Sequence, residues 1–192
     1  MFRIEICGGI ASGKTTLAKM LEKKGYSICC EEFQKNPFFE HFYQDPLANA
    51  FETEVCFLLQ HYHDIKTNRN KSKCVYDFSL IQDFAYADIN LKGKRKDLFI
   101  LLAEELLKEI KSPTILIYLS CSTEIAQKRI KMRNRKSEQE IPASYLEKIN
   151  SALENRVFHF FDKNTIFSIN SGEINFHKEI PVQISKYLES FH

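Results

Sequence analysis

The stretch Ile6–Met20, ICGGIASGKTTLAKM, restricts the fold more than any other part of this 192-residue chain. It reads as the end of a buried strand, Phe2–Cys7, then Gly8-x-x-x-x-Gly13-Lys14-Thr15, then a helix over Lys14–Lys24 that stops at Gly25. Glycines at such a turn let backbone N–H groups point inward, and the helix N-terminus adds positive potential, so the segment suits an anion. Gly8, Gly9, Ala11, Ser12, Gly13, Lys14, Thr15 and Thr16 form the expected cradle for nucleotide phosphates. Lys14 can reach the outer phosphates, and the Thr15 hydroxyl can ligate Mg²⁺.

The rest of the chain alternates in the same way. Further strands are expected at Tyr26–Cys30, Cys74–Asp77, Thr114–Leu119 and Thr165–Ile169. Helices are expected at Leu47–Lys66, Leu80–Asn90, Lys96–Ile110, Thr123–Arg133, Ser144–Phe158 and Ile180–Leu188, with Pro37 and Pro46 each able to open a helix. This order implies an α/β chain, one domain over residues 1–192, with a mainly parallel five-stranded sheet covered by helices on both faces. Ligands of such sheets bind beyond the carboxyl ends of the strands, where most of the polar motifs fall. A formal net charge of +2 gives no field that demands nucleic acid or an anionic membrane. No apolar run is long enough to span a bilayer and no leader precedes the first strand, so a cytoplasmic protein is expected. The six cysteines lack C-x-x-C or zinc spacing and read as reduced core residues.

The phosphate loop leaves kinase, ATPase and GTPase open. No guanine-reading N-K-x-D segment occurs, and a large ATPase needs more chain. Residues 128–136, KRIKMRNRK, offer a basic lid. Arg129 and Arg133 share a helix face and Arg135 follows at its end, where guanidinium forks can stabilise a transferring phosphoryl group. Glu31 comes directly after the second strand, where a carboxylate faces the ligand of the phosphate loop and can accept a hydroxyl proton.

Four segments resemble the deoxynucleoside kinase family, in order along the chain. EEFQKNPFFEHFYQDP is similar to its E-P-V-x-x-N-P-F-x-x-x-F-Y-x-D-P segment, and FETEVCFLLQHYHDIK to its F-x-x-Q-x-x-F-L-x-x-R helix. DFSLIQDFAYA is similar to its D/E-R-S-x-x-x-D-x-x-F-A segment, and RIKMRNRKSEQEIPASYLEKI to its lid and following helix. The resemblance implies a three-layer P-loop kinase fold with an arginine-rich lid, ATP and Mg²⁺ as cofactors, and a homodimer. It also implies transfer of the γ-phosphate to the 5′-hydroxyl of a deoxynucleoside. By position, Glu31 is then the general base, Tyr43 and Glu138 hold the sugar 3′-hydroxyl, and Asp77 joins Thr15 at the metal. Arg129, Arg133 and Arg135 close over the phosphates, while Glu54, His61 and Asp83 occupy base-reading positions. The apolar stripe Phe51, Val55, Leu58, Leu59 fits either a dimer contact or the core.

Three positions depart from the family pattern: Phe78 and His61 stand where arginine is usual, and Glu54 where glutamine is usual. Phe78 removes a charge beside the base, which bears on catalytic rate rather than on nucleotide binding, and Lys35 or a lid arginine is a candidate to compensate. Ionised Glu54 and Asp83 only accept hydrogen bonds, which favours bases presenting N–H groups, and His61 can donate to a purine O6 or N7. A purine deoxynucleoside is the expected acceptor. The alternatives are a kinase of another small hydroxyl compound, and a non-catalytic nucleotide-binding relative that acts as a partner or regulator.

Overall fold

The computed structural model describes residues 3–71, 73–111, 113, 115–161, 166–174, 176 and 180–191. The strand starts expected at Phe2, Thr114 and Thr165 lie outside these residues. Among the described residues five strands form one sheet: β1 (Arg3–Gly8), β2 (Ser27–Cys29), β3 (Cys74–Tyr76), β4 (Ile115–Ser120) and β5 (Ile166–Asn170). Their order is β2-β3-β1-β4-β5 and every pairing is parallel, with Ile4 opposite Val75 on one side and Ile115 on the other. A parallel sheet needs crossovers on its faces, which bury both sides of its central strands. β1 accordingly has no exposed residue.

The helices are α1 (Lys14–Glu22), α2 (Phe39–Gln44), α3 (Pro46–Thr67), α4 (Leu80–Asn90), α5 (Gly93–Ile110), α6 (Thr123–Arg133), α7 (Ala143–Phe160) and α8 (Val182–Glu189). Alternate residues of β1 and β4 divide the core. Ile4, Ile6, Ile115 and Ile117 pack with Leu17 and Leu21 of α1 and Leu188 of α8. Cys7, Leu116 and Tyr118 face the opposite way, onto Ile149, Leu153 and Val157 of α7. The result is the three-layer α/β arrangement that the strand–helix alternation implies.

Several boundaries differ from expectation for local reasons. The helix α1 stops at Glu22, because the chain turns before Gly25, whose φ is +90°. β2 is shorter than Tyr26–Cys30, and β3 ends at Tyr76, which leaves Asp77 beyond the sheet. α2 is a short helix that sequence periodicity did not separate from the segment after Pro37. Asp45 caps α3, its carboxylate accepting from the Ala48 N–H, and Pro46 takes the first helical position. α5 opens at Gly93 rather than Lys96, and α8 at Val182 because Pro181 caps it.

One buried polar link fixes the height of α4. The Ser79 hydroxyl donates to Glu5 of β1 at 2.6 Å and accepts from the Ile81 N–H at 3.3 Å, and Glu5 also pairs with Arg3 at 2.9 Å. Burial raises the Glu5 carboxyl above its ordinary range, against the opposing pull of Arg3 and Ser79. The six cysteines are free thiols.

Candidate active site

The turn after β1 is built by residues that tolerate unusual backbone. Gly13 has φ +101°, and a side chain there would meet the Phe176 ring at 3.2 Å. At Gly8 a Cβ would lie 2.6 Å from the Leu119 carbonyl oxygen. Ala11 adopts φ +60°, a strained region for a residue with a Cβ. The Lys14 ammonium folds back onto the loop, donating to the carbonyls of Gly8 (2.8 Å) and Gly9 (3.1 Å). Burial lowers its pKa, with Glu31 and Asp77 pulling the other way.

Beside this loop the carboxyl ends of β2 and β3 deliver Glu31 and Asp77. The Asp77 N–H donates to the Cys29 carbonyl at 3.2 Å, so the parallel ladder continues past the last strand residue. The Glu31 N–H then donates to Asp77 Oδ1 at 2.5 Å. Asp77 is thereby set by a backbone bond, and its carboxylate in turn holds the Glu31 backbone beside Lys14. Burial alone would raise the Glu31 pKa, but hydrogen bonding and charge from His61, with Lys14 and Arg135 adding to it, hold it below the ordinary value.

These groups open on one cavity of about 830 Å³, walled by the phosphate loop on one side and by Tyr43, Glu54, Asp83, Arg133 and Glu138 on the other. The cavity therefore joins the phosphate, acceptor and lid residues expected from sequence. Thr15 and Asp77 share its wall as oxygen donors. Among the described residues no group of three or more His, Cys, Asp or Glu side chains forms a metal site by itself. A hydroxyl plus one carboxylate suits Mg²⁺, which takes few protein ligands and completes its shell with phosphate oxygens and water.

The lid arginines divide into two kinds. Arg129 braces the loop: it donates to the Ala11 (3.2 Å) and Ser12 (3.3 Å) carbonyls and to the Ser171 carbonyl at 2.7 Å. Arg133 and Arg135 lie past it, both paired with Glu138, and Asn134 between them turns left-handed at φ +51°. Arg135 also covers the Phe33 ring at 4.4 Å, which ties the lid to the segment after Glu31. Expectation placed all three over the phosphates; all three line the cavity, and Arg129 also clamps the loop itself.

The base-reading trio is also split. Glu54 and Asp83 wall the cavity, whereas His61 does not; it stands behind Glu31 and Asp83, 2% exposed. Its Nε2 faces Glu31 Oε1 at 3.1 Å and its Nδ1 faces Asp83 Oδ2 at 2.9 Å. The ring that was expected to donate to a purine O6 or N7 has both nitrogens occupied by protein carboxylates. Burial opposes the charged ring, yet the two carboxylates push the His61 pKa up to about 10. Phe78 stacks on this imidazole, 4.1 Å between centroids and 11° from parallel, and is fully buried. Lys35 does not replace the missing charge, since its ammonium pairs with Glu32 at the surface.

Glu54 changes character on burial. Its pKa is pushed up to about 8 by loss of solvent, although Asn90 donates to its Oε1 at 2.7 Å. Near neutral pH the group is then a carboxylic acid, able to donate as well as accept, and not the acceptor-only carboxylate expected from sequence. The native state holds this proton more tightly than the unfolded chain, so stability falls as pH rises from about 4.5 to about 8. Glu54→Gln, neutral throughout, is expected to lose that slope. Urea midpoints of both proteins at pH 5 and pH 8 test this; equal slopes would contradict it.

Some lining residues come from the phenylalanine-rich run after Glu31, which in sequence reads either as core or as a surface for stacking a base. Phe39 packs edge-on against Tyr43 (5.3 Å) and Phe57 (5.7 Å), forming an aromatic wall from α2 and α3. Phe33 and Phe42 join that wall, while Phe84 belongs to the core. Tyr145 reaches the same cavity from α7, its hydroxyl bonded to Asn90. It lies inside the segment that resembled the post-lid helix, which was the available clue.

A family model described as deoxynucleoside kinase matches residues 4–189. The chain is 30% identical to a deoxyguanosine kinase of Bacillus subtilis over 161 residues, 79% of this chain and 76% of that protein. It is 28% identical to a deoxyadenosine/deoxycytidine kinase of the same organism, over 82% of this chain and 77% of that one. Among solved structures, the deoxyadenosine kinase from M. mycoides with bound dCTP superposes with a TM-score of 0.85 at 26% identity, covering 98% of this chain and 100% of that one. The same enzyme with bound dATP gives a TM-score of 0.85 at 27% identity, covering 97% and 99%.

Proposed function

The chain belongs to the deoxynucleoside kinase family, and we propose that it moves the γ-phosphate of ATP to the 5′-hydroxyl of a purine deoxynucleoside. The observation that carries this reading is the junction at Glu31. There a carboxylate held in its charged form stands on a cavity between Lys14 of the phosphate loop and the Tyr43–Glu54–Asp83 wall.

Glu31 takes the proton as the hydroxyl attacks, and Lys14, Arg133 and Arg135 stabilise charge on the transferring group. Thr15 and Asp77 would hold Mg²⁺, which when bound would neutralise phosphate charge. Tyr43 and Glu138 hold the 3′-hydroxyl. Asp83, whose carboxyl pKa burial raises against the pull of His61, accepts from a base N–H through its carboxylate, and protonated Glu54 can both give and take a hydrogen bond. That combination suits adenine or guanine, and relatives named for deoxyguanosine and deoxyadenosine support the choice. The test is phosphate transfer from ATP and Mg²⁺ to a panel of deoxy- and ribonucleosides. Turnover of deoxyguanosine or deoxyadenosine above thymidine is expected; turnover of thymidine with no purine nucleoside would overturn the purine assignment.

Among the described residues no helix is long and apolar enough to cross a membrane. Assembly as a homodimer has its support on α5, where Leu98 and Leu101, three residues apart on one face, are 58% and 65% exposed. Of the stripe read from sequence, Leu58 is fully buried core and only Leu59 is exposed, at 44%. Leu98→Glu with Leu101→Glu is expected to convert a dimer to a monomer in sedimentation equilibrium. An unchanged dimer mass would place the contact elsewhere.

A further inference from the structure

His61 is buried with a carboxylate on each ring nitrogen: Glu31 at 3.1 Å on Nε2, Asp83 at 2.9 Å and 3.0 Å on Nδ1. A neutral imidazole carries one N–H and can satisfy only one of them, whereas the imidazolium satisfies both. The three groups come from different elements: α3, the loop after β2, and α4. We propose that His61 is a positioning residue for phosphoryl transfer, an imidazolium braced by Asp83 that aims the Glu31 carboxylate at the acceptor hydroxyl, with Phe78 as its stacking shelf. This rests on the reading of Glu31 as the general base.

The placement favours action through Glu31 over contact with substrate. Glu31 and Asp83 wall the acceptor cavity, and His61 lies behind both. Its ring is fixed in plane by Phe78 at 4.1 Å and is also stacked by Phe57 at 5.9 Å. A buried charge persists only when paired, and here one cation serves two carboxylates, with Lys14 and Arg135 also acting on Glu31. The pKa of about 10 agrees with a ring that stays charged at neutral pH. The clamp also explains Phe78. A guanidinium at that position would stand against the imidazolium as a like charge, whereas a flat apolar ring supports it. With Phe78 uncharged, the cation beside the base is supplied from α3 alone, by His61.

Two measurements test this. In ¹⁵N-labelled protein at pH 7.5, long-range ¹H–¹⁵N correlations are expected to show both His61 ring nitrogens protonated. A neutral ring with a single N–H would overturn the proposal, and this readout does not depend on any variant folding. In kinetics, His61→Leu is expected to lower kcat by about 10- to 100-fold, with a smaller change in nucleoside KM, as for a misplaced reacting group. His61→Arg, which returns a planar cation with several donors, is expected to recover at least about tenfold of that loss. A merely space-filling His61 predicts the reverse, with the longer arginine worse than leucine, and that result would overturn the clamp. Glu31→Gln run alongside separates the two ideas. If it turns over normally, the assignment of the base fails. If it is inactive while a folded His61→Leu keeps wild-type kcat, only the clamp fails.

Discussion

Glu31→Gln is expected to reduce kcat by about 10²–10⁴-fold, the usual contribution of a positioned general base, with ATP affinity nearly unchanged. The amide preserves the shape of the side chain, and the Glu31 backbone N–H can still donate to Asp77. What is lost is the capacity to take a proton. The phosphate cradle, built from Gly8 to Thr16 and clamped by Arg129, does not depend on that carboxylate. Single-turnover kinetics with calorimetric ATP binding tests both halves of the statement. Because His61, Lys14 and Arg135 hold the Glu31 pKa below the ordinary value of 4.5, wild-type activity is expected to persist into mildly acidic buffer. It should fall only as the pH drops through that lowered pKa, where the base becomes protonated. A variant with full kcat would remove Glu31 from the chemistry.

Phe78→Arg is expected to destabilise the protein by about 3–5 kcal/mol, and not to speed it up. Restoring the arginine usual in the family looks like a repair if Phe78 is read from sequence alone. In the structure Phe78 is fully buried, packs edge-on against Tyr76 at 5.4 Å and stacks flat on His61. A guanidinium there loses the ring contacts and faces a cation. Urea denaturation and steady-state kinetics give the answer together. An equally stable, faster enzyme would mean that Phe78 is a defect in the site. The double variant Phe78→Arg with His61→Leu is expected to be more stable than Phe78→Arg alone, since the like-charge conflict is then gone.

The strand–helix alternation and the glycine loop were legible because both rest on local rules: buried strands are short apolar runs, and a phosphate turn needs glycines at set positions. Lys14, Glu31, Asp77 and Glu138 were legible for a related reason, since each follows a strand or lid and the parallel sheet gathers such ends. The roles of His61, Arg129 and Lys35 were not. For the first two the contacts come from far along the chain: His61 meets Asp83 and Glu31, and Arg129 meets Ala11 and Ser171. Lys35 was misread for the opposite reason, having a neighbour three residues away that holds it at the surface. Glu54 shows a further gap. Its residue type was plain, but its protonation follows from burial, which no spacing rule conveys.

The tie from Glu31 to Asp77, and from Asp77 to Cys29, hangs the reactive groups on the sheet, while Glu54 and Asp83 hang on α3 and α4. Chemistry and choice of acceptor are thus mounted on different supports that meet at one carboxylate. Helix surfaces tolerate exchange of side chains more readily than a parallel ladder tolerates a change of register, because a one-residue slip turns every side chain to the opposite face. A chain organised in this way is expected to change what it accepts by exchange at Glu54, while Asp83, which also braces His61, stays with the machinery that hands over the phosphate.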